Sequence, residues 1–465
     1  MNRLHRLLAA AGLALFTAVP AQAASLMEVY ERAAQEDAEL QIAEAEFRSA
    51  LQNRPAARSA LLPQLTGEIE GGAFYSNPDD RDSIDGRQSS FALRLEQSIY
   101  DRRNYVELSQ ADLEIARAEA ELDAARQDLM LRVAEAYFNV LVAQETLEFS
   151  EAELEAIERQ LEQTERRFDV GLIASTDVKE AQAQRDLAVA ERIAAESELD
   201  VAREELAVIT NQYWGDLNTL ADDAELAIPE PRDADAWVEL ALENNLELAA
   251  QRLTTETARE QIQRQRAEGQ PRVGLSASVS ENRYHGIDDS GDTNIDFTQA
   301  GFNAQQAQAL EGLAGAGGSQ FEDGTEAQIG IRLEIPLYTG GRVTALTRQA
   351  REDFQAAQQG QTQVERVATR DTRNAFQSTI AAESRVRALN RALESTQAAF
   401  EAAEAGFEVG TRTQVDVLLA LREVFGAERD FAQARYDFLT NTLRLERAAG
   451  QLSEEDLESI DRMLD

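Results

Sequence analysis

From Asn104 to Arg167 the chain runs for 64 residues without a proline or a glycine. Nothing in that run stops a helix, and at ~1.5 Å per residue it predicts one rod of roughly 100 Å, a length on the scale of a bacterial periplasm. Val133, Val140, Leu147, Leu154, Leu161 and Phe168 recur every seventh residue, and Ala136, Ala143, Ser150, Ile157 and Thr164 follow the first five by three places. This is an a/d seam with one large and one small position. A helix of that kind has no core of its own and must lie along others. The composition agrees: aromatic residues are only 6% and charged residues 28%, the profile of long helices packed through small side chains.

The helix belongs to a unit that is written twice. Tyr137 and Phe376, Phe168 and Phe407, Gly171 and Gly410, and Asp177 and Asp416 are each 239 positions apart; Arg94 and Arg332, and Tyr100 and Tyr338, are 238 apart. Near the starts of the halves the offset is 208, as for Pro63 and Pro271, so the second half holds about 30 more residues before its Tyr338. The halves span 24–228 and 229–465, joined around "LAIPEPRDAD". Each begins with a short helix, at about 25–60 and 234–268. A two-stranded hairpin follows at 64–99 and 272–337, then a long helical hairpin at 101–210 with its tip near 171–176, and at 341–448 with its tip near 410–413. A C-terminal segment ends the second half.

The strand segments show a period of two. Phe91, Leu93 and Leu95 oppose Ala92, Arg94 and Glu96; Ile329, Ile331, Leu333 and Ile335 oppose Gly330, Arg332 and Glu334. Their partners place Leu65 and Ile69, and Val273, Leu275 and Val279, on one face, and each run of about ten residues suits a tilted membrane strand. Four strands are too few to close a barrel. The connecting runs, "SNPDDRDSIDG" and His285 to Thr325, are polar and read as aqueous loops, and the glycines of "GLAGAGGS" lack the Gly-Lys-Ser/Thr of a phosphate-binding loop.

At the N-terminus, Arg3 and Arg6 precede an apolar run from Leu7 to Val19 and the Ala21-x-Ala23 pattern, which predicts a secretory signal peptide over 1–23. Without Arg3 and Arg6 the formal charge moves from −40 to −42, which disfavours nucleic acid and anionic headgroups as partners. There is no cysteine, and the exported chain keeps one histidine, His285, in a loop. With no metal-ligand spacing and no nucleophile motif, the sequence predicts neither an enzyme nor a cofactor.

At the tips, Gly171 and Gly410 suit the left-handed position that ends a helix. Ser175 or Thr176, and then Thr413, suit the cap of the next helix, and Asp177 and Asp416 stand in its first turn, where the helix dipole favours an anion. The aspartates thus read either as helix caps or as a functional acidic ring. The ring reading gains from assembly: three copies side by side would supply twelve strands for one barrel and carry every tip to the far end of a helical tube.

Along "SLMEVYERA", "SALLPQL", "AYFNVL", "RQLEQTERRFDVGLIASTDV", "LEIPLYTGGR", "VGTRTQVDVL" and "ARYDFLTNTL" the chain resembles the TolC-type outer-membrane exit ducts. The resemblance implies a mainly α fold with a membrane β-barrel part. Long coiled-coil hairpins would form an α-barrel, and four strands per chain would join a 12-stranded barrel shared by a homotrimer. A mixed equatorial region would form around residues 205–260 and the C-terminal segment. It also implies residence in outer-membrane lipid and the periplasm, a periplasmic adaptor and an inner-membrane RND or ABC transporter as partners, and export of drugs or polypeptide. By the same resemblance Thr176 and Asp177 are the acceptor side of a gate, Arg412 its basic partner, and Asp416 a ring carboxylate that attracts cations, the ring itself raising the pKa of some members. Two positions depart from the family pattern: Phe407 replaces a tyrosine, and Leu419 replaces a second ring aspartate. The rival reading is a periplasmic coiled-coil scaffold or adaptor that crosses no membrane.

Overall fold

The computed structural model describes residues 23–76, 84–171, 173–221, 224, 226–285 and 323–464. Nearly all of the predicted signal peptide, and most of both polar strand loops, lie outside the described residues.

Where the sequence reads as one short helix at the start of each half, the structure breaks it. In the first half the pieces are α1 (Leu26–Glu36), α2 (Ala38–Ala50) and α3 (Asn53–Ser59); in the second they are α6 (Ala234–Asn244) and α7 (Leu246–Ala267). The first break in each half is made by one residue. Asp37 takes an extended ψ of 123°, donates its own N–H to Ala33 and accepts the Leu40 N–H on Oδ1 at 2.7 Å. Asn245, 208 residues later, has ψ 121°, donates to Ala241 and accepts the Leu248 N–H at 2.9 Å. A short polar side chain thereby ends one helix and caps the next. Each is also tied to a long helix: Arg132 grips the buried Asp37 through two bonds of 3.1 and 3.0 Å, and Asn245 Nδ2 donates to the Ala448 carbonyl at 3.1 Å.

The long helices are α4 (Arg102–Asp169) and α5 (Ser175–Thr210), then α8 (Arg342–Glu408) and α9 (Gln414–Ala448), with α10 (Glu454–Asp461) closing the chain. Along the α4 seam Val133 and Val140 are fully buried, and toward the tip only the second position of each pair stays so. Ala136, Ala143, Ser150, Ile157 and Thr164 are all buried, whereas Leu147, Leu154 and Leu161 are half-buried and Phe168 is exposed. On α5, Ala181, Ala188, Ala195 and Ala202 are buried at intervals of seven, so methyl groups rather than large knobs set the helix spacing.

The strands β1 (Gln64–Ser76), β2 (Ile84–Tyr100), β3 (Arg272–His285) and β4 (Gly324–Glu334) form one antiparallel sheet in the order β1-β2-β3-β4. They are 13, 17, 14 and 11 residues long, longer than the ten-residue runs legible in the alternation. β4 stops at Glu334 rather than Leu337, two residues before Pro336, which has no N–H for a ladder. The register gathers the apolar residues on one face: Leu65 opposes Leu95, Leu95 opposes Ala277, and Ala277 opposes Ile329; Val279 lies between Leu93 and Ala327. Thr66, Arg94, Ser278 and Gln328 make a corresponding row on the other face. No described residue covers the apolar face, where Ile69 is 84% and Ile329 76% exposed. From Leu333 to Thr325 that band measures ~27 Å along the strand at ~3.4 Å per residue, so a tilt near 40° makes it about 20 Å tall, close to the apolar band of outer-membrane barrels.

Contacts divide the chain into two compact units that do not follow the sequence halves. One comprises residues 1–47, 118–251 and 361–465, the other 48–117 and 252–360, so each half contributes to both. The first has its main core around Tyr137, Phe138, Phe438, Leu26 and Leu443. The Tyr137 hydroxyl donates to the carbonyls of Ala24 and Asn218, both at 2.9 Å, across the bridge between Ala24 and Leu217. Asp461 of α10 accepts the Leu26 N–H at 2.7 Å, fastening the C-terminal segment to the first helix. The second unit holds the sheet.

Candidate functional site, the tips of the helical hairpins

Both tips turn on a glycine in the left-handed region. Gly171 has φ +76° and Gly410 φ +79°, and their N–H groups donate to Phe168 and Phe407 at 2.8 and 3.1 Å. Beyond the glycine the two tips differ. Thr413 is the N-cap of α9: its hydroxyl accepts the Asp416 N–H at 3.2 Å, while Asp416 Oδ2 accepts both the Thr413 N–H and its hydroxyl at 2.8 Å. These bonds, the backbone one foremost, and the nearby Arg412 charge hold the Asp416 carboxyl below the usual carboxylate range. Within one chain Asp416 is thus driven toward its ionised form, opposite to the upward shift expected of a repelling ring.

In the first tip the cap is Ala174, which has no side-chain oxygen, and Ser175 and Thr176 are already inside α5. This corrects the expectation that either of them caps that helix. Asp177 is consequently not tied into a capping box. Among the described residues its carboxylate accepts only from the exposed Thr176 hydroxyl, at 3.3 Å.

Arg412 is exposed and forms no ion pair with any described residue of its own chain, so the structure does not bring it to Thr176 or Asp177 within one chain. Its stem crosses Gly406, where an added Cβ would lie 2.7 Å from Arg412 Cγ. Leu419, half-exposed, stands one turn beyond Asp416. Phe407, which lacks the hydroxyl of the family's tyrosine, instead receives the Arg167 guanidinium over its ring, 4.5 Å from the centroid, linking the end of α4 to the end of α8.

Deeper in the hairpins lies a cluster the sequence did not disclose. Glu153 of α4, 1% exposed, accepts from Arg429 Nη1 at 2.9 Å and has Arg422 Nε at 3.6 Å; both arginines are on α9. Arg422 also donates to Gln184 at 3.0 Å and Glu191 at 3.4 Å on α5. The available signal was the seven-residue spacing of Arg422 and Arg429 and the position of Glu153 between seam residues Ser150 and Ile157.

Among the described residues no group of three or more His, Asp or Glu side chains is arranged to hold a metal ion, and no helix is long and apolar enough to cross a membrane. The profile of the family described as outer membrane efflux protein matches residues 29–212 and 237–451. The chain belongs to that family. It is 34% identical over 469 aligned positions to outer membrane protein TolC of Escherichia coli strain K12, covering all of this chain and 90% of that protein. The alkaline protease secretion protein AprF of Pseudomonas aeruginosa is 28% identical, with 94% and 87% covered. The solved channel CusC superposes with a TM-score of 0.74 over 92% of each chain at 18% identity, which shows the shared fold of helical and strand barrel parts. As an efflux family member the protein is an outer-membrane channel and not an enzyme.

Proposed function

We propose that three copies close one 12-stranded barrel and a helical tube beneath it. The trimer is an exit duct that carries drugs or secreted polypeptide across the periplasm and outer membrane from an inner-membrane RND or ABC transporter, through a periplasmic adaptor. The observation that carries this reading is the sheet. It has an apolar face that no described residue covers and, among the described residues, two unpaired edges, β1 and β4, which lipid does not tolerate. β4 runs antiparallel to β1, so a β4-to-β1 junction between copies continues the same pattern. Exposed Leu187, Val201 and Val208 along α5 supply a second apolar surface for a neighbouring copy. The family's description, efflux, and the name of AprF, protease secretion, support both cargo classes.

The gate of this duct is the ring of tips. Gly171 and Gly410 set the turns, Thr176 and Asp177 accept, Arg412 reaches across the subunit boundary, and Asp416 lines the axis. An adaptor that binds the open tips preferentially shifts the balance toward opening. Single-channel conductance of the purified protein in a planar bilayer tests this. A small cation-selective current is expected, losing selectivity in Asp416→Ala and growing in Arg412→Ser. Channels indifferent to both substitutions would remove the gate from the tips, and absence of any channel would remove the duct.

A further inference from the structure

Between α9, α10 and residues 226–229 lies a cavity of about 170 Å³. An apolar cavity of about 150 Å³ admits a benzene ring, so this one has room for a ring and a short substituent. Leu226, Phe438, Leu439, Ile460 and Met463 supply apolar wall. The polar lining is one-sided. The Thr442 hydroxyl donates its proton to the Phe438 carbonyl at 3.0 Å, and the Ser459 hydroxyl donates its own to the Asp456 carbonyl at 2.7 Å. Both therefore keep only lone pairs for a further partner. The remaining polar side chains of the lining are the carboxyls of Glu446 and Asp456.

No arginine or lysine among the described residues lines the cavity to answer these acids. Arg447, beside Glu446 in the sequence, is engaged by Asp128 and Glu247. Arg435, further up α9, donates to the Ala221 carbonyl, and Asp461 of α10 accepts the Leu26 N–H. Glu446 Oε2 is buried without a hydrogen-bond partner among the described residues. The residue also stands in the last turn of α9, where the helix dipole disfavours an anion and favours a cation. Burial, and then the Asp456 charge, push its carboxyl up to about 8.

We propose that this cavity binds a small primary amine with an apolar body, its ammonium seated on Glu446 and Asp456 and its body against Phe438, Leu439, Ile460 and Met463. Three N–H donors on one positive centre match a lining of acceptors. Other ligand classes do not: an anion meets two acids, a neutral hydrocarbon leaves the buried carboxyl unpaired, and a hydrated metal ion gains nothing from the apolar wall. Occupation joins α9 to α10, the helix whose Asp461 fastens the C-terminal segment to α1. The site uses no residue of the tips or of the sheet, so it stands apart from the duct reading. It also carries a proton signature. The ligand arrives as an ammonium and Glu446 must ionise to receive it, so below pH 8 binding releases up to one proton from that carboxyl to the buffer.

Isothermal titration calorimetry of the full-length protein in a non-ionic detergent tests this with benzylammonium chloride as probe. Benzyl alcohol supplies the body without the charge, and methylammonium the charge without the body. One benzylammonium per chain is expected, with both controls at least about tenfold weaker and with Kd falling about tenfold from pH 6 to pH 7. Heats at pH 7 should differ between phosphate and Tris as release of nearly one proton requires. Glu446→Gln should abolish the preference for benzylammonium over benzyl alcohol. Met463→Phe, which fills the apolar wall and keeps both acids, should abolish benzylammonium binding; circular dichroism checks that each variant is folded. Equal affinity for benzyl alcohol in the wild type overturns the proposal in favour of a plain apolar void, and equal affinity for methylammonium in favour of the acidic surface. Benzylammonium binding that survives both substitutions, or is absent from the wild type at pH 8, overturns it outright.

Discussion

Replacing Glu446 by glutamine should stabilise the protein, and only above acid pH. Glu446 lies on α9 beside a cavity of about 170 Å³ lined by Phe438, Leu439, Ile460 and Met463. Its Oε2 is buried without a hydrogen-bond partner among the described residues. Burial first, and the Asp456 charge second, push its carboxyl from 4.5 up to about 8. Asp456 Oδ2 accepts the Ser453 N–H at 2.8 Å and hydroxyl at 2.7 Å. A folded-state pKa above the unfolded one means that the group is neutral in both states below pH 4.5. Its contribution is then lost as pH rises through 8, since only the unfolded chain ionises freely. The shift corresponds to a ceiling of ~5 kcal/mol at ~1.4 kcal/mol per pH unit, and relaxation with water entry brings the expected gain to about 2–3 kcal/mol. Spread over a chain of this size that is a rise of roughly 3 °C in melting temperature. Thermal loss of helical circular dichroism, followed in detergent at pH 5, 7 and 9, reads it directly. The gap between Glu446→Gln and wild type should be near zero at pH 5 and widen up to pH 8, remaining flat above. An equal gap at pH 5 and 9 would refute the assignment of that carboxyl as a buried neutral acid.

Asp37→Ala removes two bonds from Arg132, which keeps Glu39 at 3.3 Å, and removes the cap on α2, so a loss of about 2–3 kcal/mol is expected in thermal unfolding. Burial raises the Asp37 carboxyl, but its bonds from Arg132 and the Leu40 N–H outweigh that and hold it low, so the stability it gives should be lost only as pH falls through that lowered value. Gly406→Ala should raise conductance as Arg412→Ser does, because the new methyl displaces the Arg412 stem. Helix stability should not fall, alanine being favoured over glycine inside α8 by roughly 1 kcal/mol; unchanged conductance would mean that the stem position is immaterial. Thr413→Ala should cost about 1 kcal/mol of stability through the lost cap while cation selectivity persists. Loss of selectivity comparable to Asp416→Ala would show that the hydroxyl, not the carboxylate alone, sets the field at the axis.

The helices and the apolar face of the sheet were legible because each is periodic over a long run: sevens from Val133 to Phe168 and twos from Ile329 to Leu333. The break at Asp37 was not. In a chain with 85 acidic residues one more aspartate carries no signal, and what makes it a break is Arg132, 95 residues away. Glu153 was hidden for the same reason, since a seam announces that a helix has a partner without saying which. The cap at the first tip was misread although the repeat held the answer. Thr413 is 239 residues beyond Ala174, so aligning the tips by their glycines places an alanine, not Ser175 or Thr176, at the capping position.

That one difference separates the two aspartates. Asp416 sits in a capping box, and its bonds use Oδ2, leaving Oδ1 without a partner among the described residues. Cap and ring are therefore compatible: the cap fixes the carboxylate through one oxygen and leaves the other to face whatever lies at the tip. Three such groups around an axis raise one another's pKa, but each begins from a value already lowered by Thr413 and Arg412, so the ring can remain charged where unassisted carboxylates would share protons. Asp177, whose cap position is an alanine, contributes nothing comparable to helix start and is free to take a lateral partner. On the proposed reading that partner is Arg412 of a neighbouring copy, which forms no ion pair with any described residue of its own chain. On that proposed reading the duplicated turn yields one aspartate built into its hairpin and one held open for the next subunit.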